Sequence, residues 1–374
     1  MKYNIDYINK KNSARLEEFV NQSWFLDKSL GYSIYDHAYI VPADMSNLHF
    51  HRGVLTSQGE IVDSSLLFEG FKTDWANSVE LYKAQKRTET VIYLGLLLPV
   101  WGHILTDCLK KLWFIRTDLC KQYISEGAKF VAIIPWHSKA LDTIFDLLGF
   151  KIENIENIKV LTQFEKVIIP DNSIVRNSDN TRYYTKEYSD TVKLITDKIP
   201  DTKPYGKYYF TRTSFAKSKI WLRREYGESE IESVFRKMGY TVISPEKLNP
   251  IETMTLIKNC ESFASTEGSI SHNVLFCKPG TDVIIVRKVD FVNTWQLIVN
   301  QVANVNVTYI DAHKSIISSG CLGPFYMSIT KEMEKFVGHS IFHIPYFLKP
   351  SFWWYLIQNR KITKRILISL NIIQ

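Results

Sequence analysis

The 374-residue sequence contains neither Gly-x-Gly-x-x-Gly nor a Walker-type Gly-x-x-x-x-Gly-Lys-Ser/Thr loop, so the dinucleotide and P-loop signatures are out. It has no Gly-x-Ser-x-Gly and therefore no nucleophile elbow. Asp-x-Asp is missing from end to end, which removes the obvious carboxylate clamp for a metal–diphosphate complex. No metal or other cofactor is expected. Cysteine is sparse and odd in number: Cys108, Cys120, Cys260, Cys277 and Cys321, with no pair at Cys-x-x-Cys spacing. That pattern argues against a zinc site and reads as reduced, buried thiols in a reducing compartment. Long apolar runs are also lacking. The longest, VIYLGLLLPVWGHIL at 91–105, is shorter than the ~20 residues that span a bilayer. The opening MKYNIDYINKKNSARLEEF has no apolar signal core. The expectation is a cytoplasmic protein, with peripheral contact at the inner face of a membrane open to its C-terminal tail.

A formal net charge of +7 is too mild for a dedicated nucleic-acid binder, but it favours phosphate-bearing ligands and anionic surfaces. The length suits two domains. From residue 88 onward, strand-like and helix-like stretches alternate. TETVIYLGLLL reads as a buried strand, and WGHILTDCLKKLWFIRTDL (101–119) carries its apolar residues at helical spacing. KFVAIIP (129–135) and EKVIIPDN (165–172) are strands, separated by the helix SKALDTIFDLLGF (138–150). Before residue 88 only short pieces such as GEIVDSSLLF (59–68) suggest strands.

The proline- and glycine-bearing IPDTKPYGK (199–207) marks a boundary. Beyond it the alternation resumes, with strands at 207–212, 241–245, 261–266, 282–286 and 305–311 and helices at 228–240, 249–260 and 292–303. The predicted fold class is α/β: two doubly wound, Rossmann-like domains facing a cleft, with a C-terminal helical tail. The predicted domains are 1–200, 205–312 and a tail at 313–374 that packs back on the first.

Three stretches carry candidate chemistry. In YFTRTSFAKSKIWLRRE (209–225), Arg212 ends a strand, and Lys217, Lys219, Arg223 and Arg224 follow with no acid before Glu225. Arginine forks suit a diphosphate; a solvated basic loop would look the same. In ASTEGSISHNVLFCKPGTDVIIV (264–286), Glu267, Gly268, Ser269, Ser271, His272 and Asn273 lie between two strands. A helix start there could hold an anion on its N–H groups, and a capped polar turn is the plainer alternative. His103 and Asp107 stand four apart on one helix face. They are either a structural pair or a general base in which a carboxylate orients an imidazole.

In this order the pieces resemble glycosyltransferase family 61, whose bacterial members are often described as capsular polysaccharide biosynthesis proteins. The resemblance rests on GHILTDCLKKLW, YFTR, RREYGESEI, MGYTVISPEKL and EGSISHNVLFCKPGT, spread over about residues 100–286. It departs from the family at Glu267–Ile270, where relatives often have His-Gly-Ala-Gly, and at Gly227, where Asn is usual. The resemblance implies a GT-B-like fold, with 1–200 binding the acceptor and 205–312 the nucleotide sugar, and inverting, metal-independent transfer of a sugar from that donor to a glycan or lipid-linked acceptor. It makes Asp107 the leading base candidate, with His103 as partner or alternate and Glu267 as a third. Arg212, Arg223 and Lys219 would meet the diphosphate, and 268–273 the donor. Two other readings fit the same anion sites: a pyruvyl-type transferase acting on glycans, and a non-catalytic scaffold of glycan assembly. The tail, IFHIPYFLKPSFWWYLIQNRKITKRILISLNIIQ (341–374), mixes aromatic and basic residues. Its aromatic part reads as packing on the fold, and a membrane contact is the alternative left open for its basic end.

Overall fold

The computed structural model describes residues 1–44, 52–67, 74–177, 181–214, 225–313 and 323–358. The chain forms two compact units: a continuous one, Trp24–Pro200, and a discontinuous one, Met1–Ser23 with Asp201–Gln374. The protein is α/β, as its alternating pattern predicts.

The continuous unit is built on the strand Gln85–Leu96, whose residues 91–96 are all buried. Apolar side chains in succession, rather than in alternation, mark a strand covered on both faces. It pairs in parallel with Lys129–Ile133 on one side and Thr162–Pro170 on the other, and Ile155–Asn157 extends the sheet beyond Lys129–Ile133. The helix Lys139–Leu147 buries Leu141, Ile144 and Phe145, a stripe worth roughly 1.5–3 kcal/mol per side chain.

The sheet is not wholly parallel. Tyr32–Asp36 and Tyr39–Ile40 run antiparallel to Thr162–Pro170, and Val54–Leu55 runs antiparallel to Tyr39–Ile40. The strand expected at 59–68 is also replaced, within its described residues, by a single bridge at Ile61 and a 3-10 turn at Asp63–Ser65. The Ser65 hydroxyl accepts the Val54 N–H at 2.8 Å and donates to the Val62 carbonyl at 2.6 Å, so a local side-chain bond turns the backbone away from extension.

The discontinuous unit holds a six-stranded parallel sheet. Its order is Thr241–Ile243, Lys207–Phe210, Ser262–Thr266, Asp282–Arg287, Asn306–Asp311, Tyr3–Tyr7. The last neighbour corrects the expected domain limits. Residues 1–23 do not join the first domain, because Tyr3–Tyr7 pairs with Asn306–Asp311 and the Asn9 N–H donates to Asp311 at 2.7 Å. The helix Pro250–Lys258 begins as its sequence suggests, with Asn249 and Glu252 closing a capping box.

The tail is corrected too. Its described part belongs to the discontinuous unit rather than to the first domain. Phe325–Tyr326 pairs with Glu225–Tyr226, and the helix Pro350–Gln358 settles Phe352 and Tyr355 on Tyr226 and Tyr326. Residues 359–374 lie outside the described residues. Gly227, at φ +84°, precedes the helix Glu228–Lys237, and a Cβ there would stand 1.9 Å from the Met327 carbonyl oxygen. No rotamer relieves a clash with backbone. Gly227→Ala is therefore expected to cost at least about 2 kcal/mol, read as a lower urea midpoint at unchanged slope.

Candidate functional site

Both sheets gather polar side chains where their strand order reverses, at the carboxyl edge. In the continuous unit the chain runs from Gln85–Leu96 outward through Lys129–Ile133 and Ile155–Asn157, then returns to the opposite side as Thr162–Pro170. In the discontinuous unit it runs from Lys207–Phe210 to Thr241–Ile243 and then crosses to Ser262–Thr266. Open α/β sheets take ligands at such reversals.

The first cluster follows Gln85–Leu96 directly. Trp101–His103 opens a helix that widens into a π-helical turn at Ile104–Cys108 and tightens into a 3-10 helix at Leu109–Arg116. Such π turns recur at functional sites. His103 Nδ1 lies 2.7 Å from Asp107 Oδ2, and the Thr106 hydroxyl lies 2.8 Å from the same oxygen. The His103 side chain is 34% exposed and that of Asp107 only 4%. The imidazole, not the carboxylate, therefore reaches the surface. With Nδ1–H donated to Asp107, the neutral ring carries its lone pair on Nε2, the tautomer a general base needs. Behind the pair, Tyr188 donates to the Leu105 carbonyl at 2.6 Å, and burial, then the Asp107 charge, pushes its phenol far up.

Further along the same edge, a cleft of about 440 Å³ lies against Lys129–Ile133 and Ile155–Asn157, lined in part by Trp136, His137, Asp142, Asn157 and Lys159. Asn157 holds its floor by bonding both the N–H and the carbonyl of Ile134, at 2.9 and 2.8 Å.

The second cluster sits at the edge of the parallel sheet. Arg212 follows Lys207–Phe210; its Nε lies 3.7 Å from Glu225, and its backbone N–H bonds Glu228 at 3.1 Å. Lys288 follows Asp282–Arg287, bonds Glu225 at 2.5 Å and stands over the Phe325 ring at 4.7 Å. Gly268, at φ +128°, brings its turn against this ammonium, since a Cβ there would lie 3.3 Å from Lys288 Nζ. Arg287 and Asp311 form a buried pair at 2.6 Å, with His313 Nε2 3.6 Å from the same Asp311 oxygen.

Burial alone would raise Glu225, but Lys288 and then Arg212 outweigh it and hold the carboxyl below its ordinary range. Glu228 goes the other way. Burial, then the Glu225 charge, pushes it up to about 8 against the pull of the Arg212 N–H. Glu267 is raised as well, by burial first, with Arg287 and Lys288 opposing. Its Oε2 and the Arg287 Nη2 are buried without hydrogen-bond partners among the described residues.

The predicted residues thus fall into distinct groups. His103 and Asp107 meet as expected from their spacing. Gly268 and Ser269 are partly accessible, and Arg212 lies at the same edge. Ser271, His272 and Asn273 are buried, and the helix they open is a six-residue 3-10 turn, Ser271–Phe276. The Ser271 hydroxyl accepts the Gly268 N–H at 3.0 Å and meets Gln296 at 2.5 Å, so it ties the turn together. Asn273 donates to the Ile270 carbonyl at 2.8 Å. Lys217, Lys219, Arg223 and Arg224 lie outside the described residues. Sequence reasoning missed Arg287, Lys288, Asp311 and Glu228. The strand end IIVRK has the same apolar-to-cationic step as YYFTR and could have flagged the first two. Among the described residues no group of three or more His, Cys, Asp or Glu is placed to hold a metal ion, and the four described cysteines are buried free thiols.

Parallel sheets that collect polar groups at their carboxyl edges define the class, an α/β protein of the ligand-handling kind. Residues 101–284, a little under half of the chain, match the family model Glycosyltransferase 61, and the match supports membership of that family. No curated protein matches the chain. The match runs from the helix of His103 through the turn at Gly268 to the strand Asp282–Arg287.

The raised Glu228 makes stability fall with pH. Between its unfolded value near ~4.3 and about 8 in the fold, the native state binds a proton that the unfolded chain has lost, so stability declines as pH rises. Glu228→Gln should flatten that limb and melt above the parent at pH 8, as followed by melting temperature against pH.

Proposed function

We propose that this family member transfers a sugar, with inversion, from a nucleotide-sugar donor to a glycan or lipid-linked acceptor in surface polysaccharide synthesis. The observation that supports this best is the His103–Asp107 pair. An accessible imidazole, oriented through Nδ1 by a buried carboxylate, sits at the reversal point of a sheet inside the family-matched span. Inverting transfer is a single in-line displacement. The acceptor hydroxyl loses its proton as its oxygen attacks the anomeric carbon, and the sugar–phosphate bond breaks on the opposite side. In this reading His103 takes the proton and Asp107 holds the ring and steadies the imidazolium. This reverses the order of preference drawn from the sequence, because Asp107 is the less exposed of the two. Glu267 is the weakest base candidate of the three, since it is buried and its carboxyl is biased toward the neutral form.

The departing nucleoside diphosphate needs cations and N–H donors. Arg212, Lys288 and the Gly268–Ser269 turn supply them in this proposal, joined by Lys219 and Arg223 as the sequence suggests. No metal step is invoked. The GT-B-like pairing of an acceptor domain with a donor domain across a cleft, and a cytoplasmic location, belong to the same reading. The cleft at Trp136 is a natural acceptor subsite, since it lies on the carboxyl edge one strand away from the strand leading to His103.

A panel of nucleotide sugars and glycan acceptors, read by mass spectrometry of products, tests the activity. His103→Ala should lower turnover roughly 10²–10⁴-fold while leaving the melting shift given by the matching nucleoside diphosphate intact. Full turnover in the variant would remove His103 as base. Arg212→Ala should abolish that shift, and unchanged affinity would move the phosphate site elsewhere. Both measurements should be indifferent to EDTA. A shift with phosphoenolpyruvate and none with any nucleotide would replace this reading with a pyruvyl-type transfer.

A further inference from the structure

The helix Pro350–Gln358 is apolar almost throughout, yet only part of it is buried. Phe352 and Tyr355 close on Tyr226 and Tyr326, with Tyr346 and Leu356 packed around them. Its other large side chains face out: Trp353 is 56% exposed, Trp354 60% and Ile357 59%. The preceding turn adds Phe347 at 51% and Leu348 at 64%, and Phe342 is 98% exposed. Single exposed apolar residues are ordinary, but seven within sixteen positions (342–357), Ile344 among them, form a patch, and such patches mark interaction surfaces. Two adjacent indoles, on a helix clamped to the fold by its opposite side, present a fixed amphipathic face. Tryptophan favours the bilayer interface, with an apolar body in the acyl boundary and an N–H at the headgroups.

Charge identifies the occupant. After Glu334 the sequence contains no acidic residue through its last position, 374, while Lys335, Lys349, Arg360, Lys361, Lys364 and Arg365 are all cationic. Lys349 is spent on Glu230; the cluster after Gln358 follows directly on the exposed indoles in sequence. An apolar aromatic face adjoining an acid-free basic stretch complements an anionic bilayer, where each nearby cation gains from the surface potential. A second copy of this chain would bring the same basic stretch against itself. The helix Pro350–Gln358 buries Phe352 and Tyr355 in the fold and offers only its other face, so the contact is with the surface. We propose that Trp353, Trp354, Ile357, Phe347 and Leu348 dock the protein on the surface of an anionic lipid bilayer.

The test uses the full chain and needs no transferase activity, so its outcome is independent of the function proposed above. Phosphatidylcholine vesicles, with and without phosphatidylglycerol, are sedimented with the protein. Binding should be at least about tenfold stronger to the anionic vesicles, fall as salt rises, and shift tryptophan emission to the blue. Trp354→Ala should weaken binding by roughly tenfold with unchanged melting temperature, since its side chain is largely exposed; Trp353→Ala should weaken it as much, with a small melting loss from its N–H bond to the Phe347 carbonyl at 3.0 Å. Equal binding to neutral and anionic vesicles would overturn the proposal. So would no binding to either, parent-like binding by both variants, or a sedimenting dimer that the tryptophan variants dissociate.

Discussion

The buried pair of Arg287 and Asp311 is the interaction on which the discontinuous unit turns. Two opposite charges taken out of water are costly unless their remaining hydrogen-bonding groups are met. Asp311 is met on three sides, by Arg287, by His313 and by the Asn9 N–H. Burial pulls its carboxyl upward, and the His313 contact, Arg287 and the Asn9 N–H together hold it below its ordinary range. The pair ties the ends of the two strands Asp282–Arg287 and Asn306–Asp311, and through Asn9 it fastens the exit of the edge strand Tyr3–Tyr7. The same ends carry Lys288 and, across the Thr266–Val286 register, Glu267. A site that must hold opposed charges in one geometry gains from being anchored to strands rather than to loops.

The two units repeat one plan with different chemistry. Each has a first strand whose neighbours are laid down on one side and then the other, and each puts its polar groups where that reversal leaves the strand ends open. The continuous unit places the His103–Asp107 pair there, with its imidazole toward solvent. The discontinuous unit places cations there, but already matched to carboxylates: Arg212 and Lys288 share Glu225. Proton transfer and charge stabilisation are the two tasks a displacement at an anomeric carbon requires, and the proposed function draws on one sheet for each.

What could be read from the sequence follows from how local each feature is. The strand and helix at 129–150, the capping box at Asn249 and the meeting of His103 with Asp107 depend on neighbours within a few positions, and spacing suffices for them. Tyr3–Tyr7 pairs with a strand some three hundred residues away, and no period in either segment announces that partner. The Ser271, His272 and Asn273 stretch was legible as a turn but not as a direction. A small hydroxyl or amide serves its own backbone as readily as a ligand, and here Ser271 and Asn273 bond the Gly268–Ile270 turn. The tail misled in a similar way. Its aromatic composition says that something is covered, while the helix shows Phe352 and Tyr355 covered and Trp353 and Trp354 not.

Protonation resolves the charge problem at the proposed donor edge. Glu225, Glu228, Glu232 and Glu267 all lie in or beside it, and four ionised carboxylates would repel a diphosphate more than Arg212 and Lys288 attract one. Burial removes part of that repulsion. Glu228, pushed up to about 8, is largely neutral at pH 7, and Glu267 is biased the same way. Glu232 is met by Arg236 at 3.0 Å and by the Thr211 hydroxyl at 2.6 Å. Glu225 lies between the two cations, 3.7 Å from Arg212 and 2.5 Å from Lys288. An arriving diphosphate would compete with Glu225 for both, and a carboxylate freed in that exchange would be buried beside a raised Glu228. Glu225, no longer stabilised as an anion by the two cations, and Glu228, which would feel the unneutralised Glu225 charge, would then both be raised. Donor binding on this edge should therefore take up protons, and it should weaken as pH climbs through the range in which Glu228 ionises.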